Sequence, residues 1–481
     1  MIFWDCYILK AQEKKEPLPV RIGKLGFGAR IKGNLRVEFG DEQLTSYAGL
    51  EMFRRYIRSC STYTRLMSWQ ARSGIGGDVK ISSIVLLLVS LLLCGGRRLR
   101  HVRRLENDPM VARFAGLRRL PSDRTLSRQL AKFRMREFVE LDELIVGVAA
   151  DAVKPQSFAR FTIDIDGSVL TTGQKVKGAL RGYNPHNRKN PSYYPITATL
   201  AQTGHVVAHE NRPGNVHDSH GSAAFLRQTV RLVRDKFEHT GIVEVRTDSA
   251  FFQREFLKTC DALGVGYAIK VPFWPWLNLR SLIKKAGANA WSNVSLEGKV
   301  QGMWLELPIG AWGRSQRVAV FRTHRDNVPV KGQLDLFNPD DGYWEHSAVA
   351  TNRDVGLPAL WKFMCGHSIQ EKTNAELKTG LAYGDIPTAD LRANVAWQKI
   401  NVLTHNLQTS FQIDVLPVRK SSTLKRTTSF VVKSVRTLRF EWIAKAARLV
   451  NVSGQQRLRM APNPAVQATY KQMEERLPFA A

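Results

Sequence analysis

The chain changes hydrophobic period near residue 158, and that change limits its fold more than any other feature. From about 46 to 150 apolar residues recur at helical spacing, whereas "FTIDIDGSVLTT" (161–172) alternates Phe161, Ile163 and Ile165 with Thr162, Asp164 and Asp166. Period two is the signature of a strand with one apolar face. Asp164 and Asp166 therefore point the same way, roughly 7 Å apart by strand rise. Two apolar runs around Gln202, Thr203 and Gly204 read as a hairpin. "SAAFLRQTVRLVRDKF" has helical spacing at Leu226, Val230 and Val233, and "GIVEVRTDSAFF" is a strand ending in Asp248. "QREFLKTCDALG" returns to helix and "VGYAIKVPF" to strand. Three strands, then helix, strand, helix and strand predict an α/β core with the opening strand central.

Residues 1 to about 45 mix Pro, Gly and charge without a period and are left unassigned. The longest apolar run, "IVLLLVSLLLC" (84–94), is followed at once by Gly95, Gly96 and arginines. It is well short of the ~20 residues a membrane helix needs, so it predicts a buried helix. Residues 272 to about 355 hold Trp291, Trp304, Trp312 and Trp344 among short apolar runs and turn residues, which predicts a β-rich insertion. "LPALWKFMCGHSIQEKTNAELKTGL" has no proline after Pro358 and predicts one long helix; a second follows, with Ala396, Ile400, Leu403 and Leu407 on one stripe. The five cysteines are scattered without a C-x-x-C pair and read as free thiols of a reducing compartment. The N-terminus lacks a basic n-region and a small-residue cleavage site, so no export signal is expected.

The formal net charge of +29 predicts attraction to polyanions, nucleic acid before an anionic membrane surface. Between Arg97 and Arg136 thirteen Lys and Arg face three Asp and Glu. Within that span "LPSDRTLSRQLAKF" offers Ser122 as N-cap and Leu126, Leu130 and Phe133 as a packing stripe. Arg124, Arg128 and Lys132 fall on the opposite face, which reads equally as a solvated basic face or a DNA-contacting one. A second basic stretch, Arg419 to Arg448, contains a single acid, Glu441.

Against this background the carboxylates stand out. Asp166 and Asp248 each end a strand, and ligands and metals gather beyond the carboxyl ends of strands in α/β sheets. Glu371 lies on the long helix with His367, Asn374 and Lys378 on the same face. Three hard oxygen ligands, without Cys or clustered His, favour Mg²⁺ or Mn²⁺ over zinc. Two such ions activate water or a 3′-hydroxyl and stabilise the leaving oxygen in phosphodiester chemistry. The positive surface would then hold DNA while the carboxylates hold the ions. Taken singly, an aspartate at a strand end reads as readily as a turn or capping residue.

In this order the residues resemble the DDE transposases of bacterial insertion sequences, the cut-and-paste branch with a ribonuclease-H-like catalytic core. The resemblance is carried over about 46 to 460 by "DIDGS", "GALRGYNPHNRKNPSYYPITATL", "RPGNVH", "VRTDSAF", "GHSIQEKTNAELKTGL" and "ANVAWQKINVLTHNL". It implies Asp166, Asp248 and Glu371 as the catalytic, metal-binding triad with two Mg²⁺ or Mn²⁺ ions. Asp164 would have a supporting role, with exchange of the two strand aspartates as the alternative. The family's signature of Tyr, Arg, Glu and Lys falls here on Met364, His367, Glu371 and Lys378, so the first two positions depart from it. His367 either replaces the arginine or packs the helix; Asn374 and Lys378 are the other supporting residues. Arg181, Arg188 and Lys189 in "GYNPHNRKNPSYYP" read as a phosphate-gripping loop or a solvated connection. Trp344 reads as a base-stacking residue or a core residue of the insertion.

The expected division is 1–45 unassigned, 46–150 a helical DNA-binding domain, and 158–271 the first part of the ribonuclease-H-like core. A β-rich insertion at 272–355, the second part of the core with the glutamate helix at 356–415, and a basic C-terminal region at 416–481 complete it. The resemblance implies binding of inverted-repeat ends and target double-stranded DNA, hydrolysis and strand transfer, and a homodimer on DNA. It implies a prokaryotic, cytoplasmic, nucleoid-associated protein without a membrane partner or a small-molecule substrate. The competing expectations are a DNA-binding protein of a decayed or repurposed element, without catalysis, and a stand-alone nuclease.

Overall fold

The computed structural model describes residues 37–40, 42–75, 77, 79–182, 184, 187–295, 298–325, 343–418 and 428–477. Residues 1–36 and the 419–427 part of the basic tail lie outside the described residues. The chain divides into two units, Met1–Glu42 and Gln43–Ala481. The few described residues of the first unit are exposed and form neither helix nor strand.

The second unit begins with helices α1 (Leu50–Ser59), α2 (Ser61–Arg72), α3 (Ile81–Leu93), α4 (Pro109–Ala115), α5 (Asp123–Leu130) and α6 (Met135–Val153). The apolar run forms α3, which is buried almost all round. Among the described residues no helix is long and apolar enough to cross a membrane. In α5 the Ser122 hydroxyl accepts from Thr125 N at 3.2 Å, satisfying one of the orphan donors of the first turn. Leu126, Leu130 and Phe133 are buried, and Arg124, Arg128 and Lys132 are exposed, Lys132 in the turn after the helix.

Next come β1 (Arg160–Gly167), β2 (Ile196–Leu200), β3 (Val206–Glu210), β4 (Ile242–Thr247), β5 (Gly266–Lys270), β6 (Ser292–Asn293), β7 (Val300–Ile309), β8 (Arg314–Arg325) and β9 (Tyr343–Thr351). Helices α7 (Ser222–Lys236) and α8 (Arg254–Ala262) connect β3 to β4 and β4 to β5, and α9 (Leu279–Ala286) follows β5. The strands form one mixed sheet in the order β3-β2-β1-β4-β5-β9-β8-β7-β6. Strand β1 is parallel to β4, and β4 to β5, while the other pairs are antiparallel. The strands of 272–355 thus continue the central sheet through the β5–β9 pairing. Phe161, Ile163, Ile165, Val243 and Val245 enter one core with residues of α6, α7 and α8.

The single long helix expected from 357 onward is broken. It forms as α10 (Leu357–Cys365), a turn at Gly366 and His367, α11 (Ser368–Ala375) and a π-helical turn at Glu376–Gly380. The cause is tertiary: Arg246 of β4 donates to the carbonyls of Phe363 at 2.5 Å and Gly366 at 3.1 Å. The backbone responds with short-range bonds, Gly366 N to Phe363 O and Gln370 N to His367 O. Helix α12 (Leu391–Val415) is buried far beyond its expected apolar stripe. Its polar positions are used: Asn406 pairs with both Val206 N and Val206 O, covering the backbone of edge strand β3.

Candidate active site

Period two places Thr162, Asp164 and Asp166 on one face of β1, and Glu244, Arg246 and Asp248 on the same face of the β4 run. The parallel register aligns them, Thr162 with Glu244 and Asp164 with Arg246, and continues to Asp166 alongside Asp248. The inner rungs are neutralised. Asp164 and Arg246 are fully buried and joined by two bonds of 2.7 and 2.8 Å, and Glu244 is paired with Arg353 at 2.8 Å and with Arg160. The outer rung is not: neither Asp166 nor Asp248 has an ion-pair partner among the described residues.

Electrostatics follow from this arrangement. Burial, and then the charge of Asp248, push the Asp166 carboxyl up to about 7. Burial also raises Asp248, although its side chain accepts from Ala250 N at 3.0 Å. His367 opposes both shifts, and its Nδ1 lies 3.2 Å from Asp164 Oδ1. Burial lowers the Lys378 ammonium while the Asp166 charge holds it up.

Helix α11 reaches this rung, but not through its acid. Asn374 Nδ2 donates to Asp166 Oδ2 at 3.1 Å, and Gln370 Nε2 donates to Thr197 Oγ1 at 3.0 Å. Thr197 is the cross-strand partner of Asp166. Glu371 is exposed. The structure therefore brings together Asp164, Asp166, Asp248, His367, Asn374 and Lys378 and leaves Glu371 outside. Among the described residues no group of three or more His, Cys, Asp or Glu stands close enough to hold a metal ion.

Sequence reasoning missed Asp218, whose charge raises both Asp166 and Asp248. It accepts from Tyr194 Oη at 2.5 Å and from Arg212 Nη2 at 3.2 Å. Gly167 makes room for it, since a Cβ there would lie 2.2 Å from Asp218 Oδ1. No local pattern marks Asp218; Arg246 was missed as well, although its place on the alternating polar face of "EVRTD" is a signal that could have found it. Of the other expected DNA contacts, Arg181, Arg188 and Lys189 are exposed. Trp344 packs against the Arg322 guanidinium at 4.5 Å, which it shares with Trp291 at 4.3 Å.

A family model described as "Transposase DDE domain group 1" matches residues 27–480. The chain belongs to that family of transposases. No curated protein matches it. Among solved structures it is similar to a piggyBac transposase synaptic complex with hairpin DNA, at 11% identity and a TM-score of 0.41, over 77% of this chain and 76% of that one. A Mos1 mariner paired-end complex with Mn matches at 15% identity and a TM-score of 0.17, over 37% of this chain and 59% of that one.

Proposed function

We propose that this transposase carries out cut-and-paste transposition, binding the inverted-repeat ends of its element, hydrolysing phosphodiester bonds there and directing the freed 3′-hydroxyl at target DNA. The observation that carries the reading is the outer rung: two adjacent half-buried carboxylates, raised by partial burial and by acidic neighbours, without a paired cation among the described residues, in a chain of net charge +29. Hard oxygen donors of this kind suit Mg²⁺ or Mn²⁺. Asp166 and Asp248 would hold the metal and Glu371 would complete the set. What two bound ions supply is activation of the attacking oxygen and charge stabilisation of the leaving one.

The protein's own groups do the rest. Arg246 neutralises Asp164 and so keeps that strand's second carboxylate out of the metal site. Exposed Arg124, Arg128 and Lys132, with Arg181, Arg188 and Lys189 on the loop that ends at Tyr194, take phosphates of duplex DNA by charge, which positions DNA without reading its sequence. Trp344 would have to exchange its guanidinium partner for a base in order to stack on DNA. The ribonuclease-H-like core is 158–271 together with 356–415, with 46–150 as the end-binding region, and the working species on DNA is a homodimer.

Asp166→Ala, Asp248→Ala and Glu371→Ala are each expected to abolish Mg²⁺-dependent nicking of the element's terminal DNA while leaving binding to it. Normal nicking by any one of them removes that residue from the triad. The exposed position of Glu371 favours one second reading, a DNA-binding protein without catalysis. Binding of terminal DNA by the wild type without nicking in Mg²⁺ or Mn²⁺ would establish it.

A further inference from the structure

Near its C-terminal end the chain folds back as a hairpin of β10 (Ala447–Val452) and β11 (Gln455–Met460). Its two-residue turn, Ser453 and Gly454, has φ of 51° and 77°, the positive pair that matches the twist of a tight hairpin. The short strand Leu44–Thr45 pairs with β10 only at Arg448 and Ala447, so the rest of the hairpin is a two-stranded ribbon. Its base is fixed to the helical region: Thr45 Oγ1 donates to Asp108 Oδ1 at 2.8 Å, and Arg113 of α4 donates to Gln456 Oε1 at 2.8 Å.

Cross-strand register sorts the side chains by face. Ala447, Leu449, Leu458 and Met460 share one face, on which Ala447 is buried and Met460 packs against the helical core. The opposite face carries Arg448 directly across from Arg459, with Arg457 two residues from Arg459, roughly 7 Å along the strand. All three arginines are exposed, and none has an ion-pair partner among the described residues. Side chains directly opposite stand about 4.5–5.5 Å apart at Cβ, where like charges destabilise the pairing. Guarding a sheet edge against association explains charge on the outer strand β11, but not Arg448 on the inner strand. An anion lying across both strands removes the repulsion and accounts for all three.

We propose that the arginine face of this hairpin is a duplex-DNA contact surface on which Arg448, Arg457 and Arg459 each take a backbone phosphate. Charge complementarity selects the occupant. A guanidinium fork matches phosphate oxygens in two parallel bonds, and duplex DNA supplies phosphates in a regular row. Such contacts position the duplex without reading its sequence. The DNA-binding unit then joins 46–150 to the hairpin, two parts of the chain far apart in sequence that Thr45 and Arg113 hold together. The inference rests on the reading of the chain as a binder of duplex DNA, and it needs neither metal nor cleavage.

The test uses the full chain and a duplex of random sequence in EDTA, with affinity measured across a salt series. Combining Arg448→Gln, Arg457→Gln and Arg459→Gln should lower the salt slope by about 2.7, at ~0.9 per phosphate, so the wild type's advantage shrinks about 40-fold between about 50 and 200 mM salt. Arg448→Lys, Arg457→Lys and Arg459→Lys together keep the charge and should keep the slope. The melting temperature of the Gln variant should not fall, because a like-charge pair is removed. In the wild type, where no substitution can disturb folding, the duplex should slow phenylglyoxal modification of all three arginines, read by peptide mass spectrometry. An unchanged slope in the Gln variant, or arginines modified equally fast with and without the duplex, overturns the hairpin contact while leaving DNA binding elsewhere on the chain. A wild type without affinity for the duplex overturns the DNA-binding reading itself, and the hairpin contact with it. Loss of binding to phosphatidylserine vesicles in the Gln variant, with an unchanged slope on DNA, would assign the face to a membrane surface and overturn the proposal.

Discussion

Replacing Arg246 by Met takes the guanidinium from buried Asp164 and leaves the His367 imidazole, 3.2 Å away, beside it. Arg246 and Asp164 are fully buried and share bonds of 2.7 and 2.8 Å, so solvent screening gives no relief. Leaving one partner of such a pair uncompensated costs about 3–5 kcal/mol. The substitution also removes the donors to Phe363 O and Gly366 O that fix the break between α10 and α11. For a unit of this size the entropy of unfolding is on the order of 1 kcal/mol/K, so the melting temperature should fall by about 3–5 °C in scanning calorimetry. Pairing the change with Asp164→Leu removes the stranded charge and should recover most of the loss, because an apolar pair of similar volume often replaces a buried ion pair at little cost. A single variant that melts within about 1 °C of the wild type, or a double variant that falls as far as the single one, refutes the account.

The Asp166 carboxyl, raised by burial and by Asp248, yields a pH signature in the metal-free protein. The unfolded carboxyl titrates near 3.9, so the stability its proton confers is complete below about pH 4 and lost as the pH rises through about 7. Wild-type melting temperature in EDTA should therefore fall between pH 5 and 8 relative to Asp166→Asn; a parallel pair of curves would contradict the shift. Gly167→Ala forces a Cβ to within 2.2 Å of Asp218 Oδ1. It should cost about 1–3 kcal/mol by overpacking and weaken Mn²⁺ binding, and normal values of both would show that Asp218 gives way freely. Charge reversal at exposed Arg124 and Arg128 should leave the melting temperature unchanged, weaken binding to duplex DNA and lower the salt dependence of that binding by about one unit per lost phosphate contact. Filter binding across a salt series checks it, and an unaltered salt slope would assign α5 a solvated face.

Much of the scaffold was legible in the sequence. Alternation over 160–167 and 242–247 gave the strands, and Ser122 gave the start of α5. The apolar run at 81–93 gave a buried helix without a membrane span. Legibility stopped where a local pattern met a distant partner. Between 357 and 381 Gly366 is only a weak local mark of the helix break, which is held by a guanidinium from β4. The stripe of Ala396, Ile400, Leu403 and Leu407 does not show that polar positions of α12 are buried as well, Asn406 against the backbone of β3.

The sequence by itself determined which residues alternate, which recur at helical spacing, and that acids end two strands of a strongly basic chain, since these depend only on the geometry of one element. Only the tertiary structure decided that Asp164 is neutralised by Arg246 while Asp166 and Asp248 have no ion-pair partner among the described residues, that Asp218 joins them, and that α11 bonds Asp166 through Asn374 while Glu371 stays exposed. Those outcomes depend on register between strands far apart in sequence and on the rotation of a helix about its axis, and one residue of slip in either exchanges the side chains that meet.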